Sequence, residues 1–417
     1  MTRVAIVGGK RTPFVKAGGV FQNQSLLDLS KHAVLETVRS TKVDPNAVDE
    51  VAFSSVLFDP RFPNLAREIV LRTELPNRTP GHFLSNNCIS GLVAASFVSD
   101  SIRTGRIQCG IAGGAESMSR PTLTFHPKAE QFFLRLNKAR SVGQKLSAAF
   151  GYRPSFALPQ VPSPKEPSTG KTMGQHCELM AQEFHISRDA QDQWAYESHQ
   201  KAAAAVESGV FDKEIAPLNG VTADNLVRKD TSLEKLSKLR PVFERSEKGT
   251  LTAGNSSALT DGASAVCLMS ESLAKSQGLE ILGFVSLFEF AAVDPNEGLL
   301  MAPGLAVPAL LSRVGKGVGD IDLFEIHEAF SAQVLCNLQA WEKGWAAHPE
   351  VAPIGAIPRE KINIHGGSIA LGHPFAATGG RLLLSAAHAL RDTGKKSALI
   401  SICAAGAMAG AVLVERD

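Results

Sequence analysis

The sequence predicts an α/β protein built from two similar halves, and three observations carry that expectation. The order helix, Asp-containing turn, strand occurs once in residues 24–56 and again in residues 307–326. Downstream of each copy, a turn rich in small residues opens a helix and leads to a further apolar strand. The composition, 44% hydrophobic and 20% charged over 417 residues, is that of a folded globular chain with room for about two to three domains. Alternating strands and helices imply mixed, largely parallel sheets covered by helices.

Val4-Ala5-Ile6-Val7, closed by Gly8, Gly9, Lys10 and Arg11, reads as a first buried strand and is too short for a secretion signal. Leu26, Leu29, Ala33 and Val34 share one helix face, Asp44-Pro45 turns the chain, and Val51-Ala52-Phe53 makes a strand. Cys88-Ile89-Ser90-Gly91 opens a small-residue helix, followed by the strand Gly110-Ile111-Ala112-Gly113-Gly114. Residues 121–171 change character. Pro121, Pro127, Pro154, Pro159, Pro162, Pro164 and Pro167 break regularity, and eight Lys/Arg against two Asp/Glu give +6. This stretch reads as an inserted loop region, followed by an amphipathic helix from Arg188 to Val206 and a strand-like return from Gly249 to Met269. Val307, Leu310, Leu311 and Val314 then repeat the helix face, Gly319 to Asp322 the turn, and Leu323 to Ile326 the strand. His373 to Gly380 repeats the helix opening and Ala398 to Cys403 the strand. The expected divisions are a first half over 1–120, an inserted domain over 121–248, a return segment over 249–272 and a second half over 273–417.

A net charge of +2 supplies no global field for nucleic acid, and no apolar run approaches the roughly 18 residues of a membrane span. Six cysteines, with neither a C-x-x-C pair nor zinc-ligand spacing, point to free thiols in a reducing, cytoplasmic setting. Four segments are candidates for chemistry. Cys88 enters the first turn of a helix, where free N–H groups and the dipole lower a thiol pKa. His373, in Gly366-Gly367 to Gly372-His373-Pro374, has near-neutral basicity beside glycines that admit a close backbone approach. Cys403-Ala404-Ala405-Gly406 exposes backbone N–H groups at a strand end. His327-Glu328-Ala329-Phe330 follows a strand, but it is not His-Glu-x-x-His and has no partner cluster, so no metal is expected. Taken singly, each has a plain alternative as a buried thiol or a capping histidine. Together they end elements at corresponding places in the two halves, where open α/β sheets put their sites.

This constellation resembles the thiolase family along essentially the whole chain. The resemblance runs through Lys10-Arg11-Thr12-Pro13-Phe14, Asn87-Cys88, Gly113-Gly114-Ala115-Glu116-Ser117-Met118-Ser119 and Leu239-Arg240-Pro241-Val242-Phe243. It continues through Thr252-Ala253-Gly254-Asn255-Ser256-Ser257 with Asp261-Gly262-Ala263, His327-Glu328-Ala329-Phe330, Gly372-His373-Pro374 and Cys403. It implies duplicated βαβαβαββ halves in α/β/α/β/α layers, with an inserted loop domain that binds coenzyme A. It implies acyl transfer through a thioester on Cys88, with His373 as its base and Cys403 as the acid/base at the α-carbon. Imidazolium His373 and His327, directly or through water, would serve the enolate, and the backbone N–H groups of Cys88 and Ala405 the tetrahedral intermediate. Arg228 resembles the adenine-stacking arginine and Ser257 a serine at the pantetheine.

Many thiolases carry Asn in place of His327 and Gly in place of Ala405. The forms found here resemble the branch of thiolase subunits of fatty-acid β-oxidation complexes. That branch implies cleavage of 3-oxoacyl-CoA by coenzyme A, with coenzyme A as substrate and no resident cofactor. A biosynthetic acetoacetyl-CoA condensation and a non-catalytic acyl-CoA-binding scaffold are the alternatives; the intact Cys88, His373 and Cys403 argue against the latter. The Gly-Thr-Gly-Thr and Gly-Phe-Gly-Gly motifs of β-ketoacyl synthases are absent. A homodimer or dimer of dimers is expected. The interleaved Phe132, Phe133, Leu134, Leu136, Leu146, Phe150 and Phe156 of the insert suggest a surface for a hydratase/dehydrogenase partner or a peripheral membrane contact.

Overall fold

The computed structural model describes residues 2–150, 152–161 and 165–417. Strand β1 (Val4–Arg11) is almost wholly buried, as an unbroken apolar run covered on both faces must be. After the short β2 (Val15–Lys16), helix α1 (Leu26–Thr41) starts at a capping box. In it the Ser25 side chain accepts from the Asp28 N–H and the Asp28 carboxylate from the Ser25 N–H. The predicted face Leu26, Leu29, Ala33 and Val34 is buried. The first half continues as β3 (Glu50–Ser54), α2 (Leu65–Leu71), β4 (Gly81–Leu84), α3 (Ser90–Arg103) and β5 (Cys109–Glu116), and β6 (Thr260–Ser270) completes it after the insert. The insert carries α4 (Pro127–Lys138), α5 (Val142–Ala149), α6 (Met173–Glu183) and α7 (Arg188–Glu207). The second half runs β7 (Gly283–Ala292), α8 (Pro303–Val314), β8 (Leu323–Ile326), α9 (Ser331–Lys343), α10 (Thr378–Thr393), β9 (Ser397–Ala404) and β10 (Met408–Glu415).

The strand order is β4-β3-β5-β6-β1-β7-β10-β9-β8, with β2 beside β6. It is nearly symmetric about the antiparallel contact of Val4–Ile6 with Gly283–Val285, so the duplication seen in the sequence meets at β1 and β7. The symmetry is incomplete: the counterpart of β4 in the second half is a single parallel bridge between Phe324 and Ile362. The expectation of largely parallel sheets is corrected. Among the named strands β3–β4, β3–β5 and β8–β9 are parallel and the other six pairings are antiparallel. The helical crossovers make the parallel group, whereas β6 and β10 return antiparallel and join it to β1 and β7.

Five layers follow from where the apolar faces go. Leu92, Ala95 and Val98 of α3 and Leu383, Ala387 and Leu390 of α10 share one core with Ile6, Val266, Ile400 and Val412 from both sheet halves. Helices α1 and α2 cover the outer face of the first half, and α8 and α9 that of the second. The two central helices meet at their starts through glycines. A Cβ on Gly91 would lie 2.6 Å from the Ala376 carbonyl oxygen, and one on Gly379 2.5 Å from the Leu92 nitrogen.

The region read as loop, residues 121–171, is in part a helical hairpin, α4 and α5. Its prolines delimit helices instead of preventing them: Pro127 occupies the first turn of α4, where its missing N–H costs nothing. Pro162 and Pro164 lie outside the described residues. Phe132 stacks on Tyr152 at 3.9 Å, but Leu146 and Phe150 are 69% and 90% exposed.

Candidate active site

Strand β4 leads into a tight turn in which Asn87 takes a left-handed conformation, φ 50°, which Asn tolerates better than most residues. The turn is locked by Ser90, whose hydroxyl accepts from the Asn86 N–H at 2.7 Å and donates to the Asn87 carbonyl at 2.6 Å. Cys88 is thereby presented just ahead of α3, half-buried, with the N–H groups of Ala405 and of Cys88 itself toward its sulfur. The expected fall in thiol pKa is corrected. Burial, reinforced by the Glu116 carboxylate and only partly offset by those N–H groups, pushes the Cys88 thiol up to about 12. Glu116 itself accepts from the Ser55 hydroxyl at 2.6 Å and the Leu57 N–H at 2.9 Å, and its second oxygen accepts from Ala376 N–H at 3.3 Å. It thus ties the turn after β3 to the segment that follows His373.

His373 sits ahead of α10, its N–H donating to the Thr260 hydroxyl at 3.0 Å. Its ring Nδ1 is 2.6 Å from the Thr378 hydroxyl, while Nε2 is buried without a partner among the described residues. His327 follows β8, and its N–H donates to the Ser401 carbonyl at 2.8 Å. Its Nδ1 is 2.9 Å from the Ser368 hydroxyl, and its Nε2 is again buried and, among the described residues, unpartnered. The Ser368 oxygen also accepts from Arg381 at 3.0 Å. Because Arg381 can only donate, the Ser368 proton is available to His327 Nδ1, an arrangement that would put the His327 proton on Nε2. The two imidazoles lie 4.0 Å apart between centroids. Burial first and the Arg381 cation second hold His373 down to about 3; burial, His373 and Arg381 hold His327 well below the usual imidazole range. Both rings are therefore neutral near pH 7.

Cys403 is buried near the end of β9, its thiol pushed up by burial and by the neighbouring Cys88. The structure thus brings Cys88, Cys403 and Ala405 together, and pairs His327 with His373. The Nε2 atoms of the two neighbouring rings, buried without a protein partner among the described residues, are available to donate to or accept from a bound group.

Glu328 accepts from Trp194 Nε1 at 3.0 Å, the Ser198 hydroxyl at 2.8 Å, Asn363 Nδ2 at 2.8 Å and the Ile369 N–H at 3.2 Å. That carboxylate is occupied in orienting the segment around His327. The glycines read as admitting a ligand admit the protein's own groups: a Cβ on Gly367 would lie 2.2 Å from the Glu328 carboxyl carbon. Gly372, at φ 96°, packs against Thr260 and Leu226.

Arg228 and Ser256 line a cleft of about 350 Å³ with His199, Leu226, Ala258 and Ile369. Ser257 stands one residue from that lining, half-buried, with its N–H on the Ala329 carbonyl at 2.9 Å. Arg228 is exposed, and among the described residues its guanidinium has no ion-pair partner. The loop that carries it is anchored by Arg11, which pairs with Asp224 at 2.7 Å and with Glu214 at 3.2 Å, all three side chains buried. Sequence reading did not single out Ser368, Thr378, Arg381 and Glu116 as site residues. The signal was there for Thr378 and Arg381, one helical turn apart at the start of α10, but only the fold shows which ring each addresses.

Residues 4–272 match the thiolase N-terminal domain family and residues 279–416 the thiolase C-terminal domain family. A 3-ketoacyl-CoA thiolase of Pectobacterium carotovorum subsp. carotovorum is 40% identical over 99% of this chain and 96% of its own length. One from Shewanella sediminis is 40% identical over 99% and 97%. Among solved structures, the Bacillus anthracis acetyl-CoA acetyltransferase superposes with a TM-score of 0.86 at 29% identity, covering 100% of this chain and 99% of that one. Human mitochondrial 3-ketoacyl-CoA thiolase in complex with CoA gives 0.84 at 29% identity, covering 100% and 98%.

Proposed function

The chain belongs to the thiolase family, and from that premise we propose that it cleaves 3-oxoacyl-CoA with coenzyme A to acetyl-CoA and a shortened acyl-CoA in fatty-acid β-oxidation. The observation that carries the reading is the pair of neighbouring imidazoles, each backed by a hydroxyl, with His373 on the segment whose Ala376 carbonyl packs against Gly91, three residues after Cys88. The full-length relatives at 40% identity are named 3-ketoacyl-CoA thiolase, which favours the degradative reading over biosynthetic condensation.

Neutral Cys88 and neutral His373 require proton transfer to accompany attack. As the sulfur adds to C3 of the substrate, its proton passes to His373 Nε2, while Nδ1–H rests on Thr378. The C2–C3 bond then breaks, leaving the acyl group on Cys88 and the electron pair as a thioester enolate. His327 Nε2–H, its tautomer set by Ser368 and Arg381, donates to the enolate oxygen. Cys403 gives its proton to C2 and acetyl-CoA leaves. The Cys403 thiolate takes the proton of incoming coenzyme A, whose sulfur attacks the acyl-cysteine. The N–H groups of Cys88 and Ala405 hold that oxyanion, and its collapse releases acyl-CoA as His373 returns the first proton. The sequence is redox-neutral, so coenzyme A enters as substrate and no resident cofactor is called for.

Arg228 at the cleft mouth is assigned to the nucleotide end of coenzyme A and Ser257 to the pantetheine. We assign the apolar residues of α4 and α5 to a partner subunit or a membrane surface, and the free thiols to a reducing cytoplasm. Among the described residues no helix is long and apolar enough to cross a membrane. Assembly as a homodimer or dimer of dimers completes the reading. Thiololysis rates over four-carbon to sixteen-carbon 3-oxoacyl-CoA test it: turnover of chains beyond four carbons is expected, and activity confined to acetoacetyl-CoA would contradict the degradative role.

A further inference from the structure

The loop between β9 and β10 holds Ala405, Gly406 and Ala407, the last two with positive φ of 74° and 53°. For Ala407 this is a disfavoured conformation that surrounding contacts must impose. Two side chains grip the peptide between Ala405 and Gly406 from opposite ends. Asn87 Nδ2 donates to the Ala405 carbonyl at 3.0 Å, and the Gly406 N–H donates to Glu166 Oε2 at 2.9 Å. Glu166 belongs to the insert and is only 7% exposed. Its other oxygen accepts from Ser168 at 3.0 Å. Its backbone N–H donates to the Lys171 carbonyl at 2.8 Å and its carbonyl accepts from Gly170 N–H at 2.8 Å, closing a turn against the start of α6. Among the described residues this buried carboxylate has no cationic partner. A buried carboxyl group satisfied by a single backbone N–H and one hydroxyl is poor economy for stability alone.

We propose that Glu166 is a positioning residue for acyl transfer: by fixing the Gly406 N–H it sets the plane of the Ala405–Gly406 peptide, and so holds the adjoining Ala405 N–H on the sulfur of Cys88 and on the oxyanion formed there. The clamp makes the insert a structural part of the oxyanion site. The inference rests on the assignment of Cys88 as nucleophile.

The test compares the full-length native chain with Glu166→Ala, Glu166→Gln and Glu166→Asp, each checked for fold by circular dichroism. Two readouts are taken: kcat and KM for thiololysis of acetoacetyl-CoA, and the rate of Cys88 alkylation by iodoacetamide against pH without substrate. Glu166→Ala is expected to lower kcat about 10- to 100-fold with KM little changed. Its alkylation profile should move to higher pH, about 3- to 10-fold slower at pH 8, because a donor to the thiolate is lost. Glu166→Gln, which keeps an acceptor of the same reach, should retain most of both; Glu166→Asp, one methylene short, should not. Native kcat and an unmoved alkylation profile in Glu166→Ala overturn the proposal, as does a rise in KM alone. If Glu166→Ala does not fold, an Asp variant as active as the Gln variant overturns it. A native chain that fails to cleave 3-oxoacyl-CoA refutes the proposed activity instead, and the alkylation profiles still decide the clamp.

Discussion

At Cys88 two effects oppose each other and their sizes decide. The start of α3 offers at most about 2 kcal/mol to a thiolate, whereas burial shifts a pKa by up to about 3–5 units, and the thiol stands near 12. The position of Cys88 was legible in the sequence, since small residues opening a helix are a local pattern. Its protonation state was not, because Glu116 and the walls of the site come from distant parts of the chain. The same holds for His327, whose tautomer depends on Ser368 and Arg381. Replacing His327 by Ala should lower kcat about 100- to 1,000-fold, and His327→Asn, which keeps an N–H donor, should recover most of it. Ser368→Ala frees the tautomer and should cost roughly 10-fold in kcat with KM unchanged. Steady-state thiololysis of acetoacetyl-CoA checks both, and equal activity of His327→Ala and His327→Asn would remove the enolate donor from the mechanism.

Among the elements, the start of α3 against the start of α10 makes the site. Cys88 lies three residues before Gly91 and His373 three before Ala376, and Gly91 packs on the Ala376 carbonyl. A methyl group at Gly379 would force the helices apart, so Gly379→Ala should lower stability by about 1–3 kcal/mol and kcat with it. Denaturant unfolding and thiololysis on one preparation check this; a stable variant with reduced activity would still fit, but full activity with unaltered stability would not. Both helix faces and the strands around them were readable from periodicity, and the repeated order announced the two halves. The antiparallel return strands were not readable, because pairing direction depends on which neighbours the crossovers leave open. Nor was the helical hairpin of the insert: a proline reads as a break by composition alone, yet Pro127 starts a helix.

For the molecule as a whole, the buried neutral histidines set a stability profile. His373 is held to about 3 and His199 to about 4, both below the roughly 6.5 of an unfolded chain. Between those values the unfolded state binds the extra protons, so the contribution of these histidines is full above about pH 6.5 and falls on acidification, opposed in part by Glu325 and Glu116, whose carboxyls burial raises to about 8 and about 6. The slope is about 1.4 kcal/mol per pH unit for each such histidine. The melting temperature should drop between pH 7 and pH 5, and by less in His327→Asn; an identical drop in that variant would assign the effect elsewhere. The duplicated architecture puts Cys88 in the first half and His327, His373 and Cys403 in the second, so the proposed chemistry exists only where both halves meet. The most direct measurement mixes the enzyme with acetoacetyl-CoA in the absence of free coenzyme A, quenches it within one turnover and maps the modified peptide by mass spectrometry. An acetyl group on the peptide that carries Cys88, absent in Cys88→Ala and discharged by added coenzyme A, is the predicted result; acetyl-CoA release with no acyl group on Cys88, or an acyl group on Cys403 instead, would contradict it.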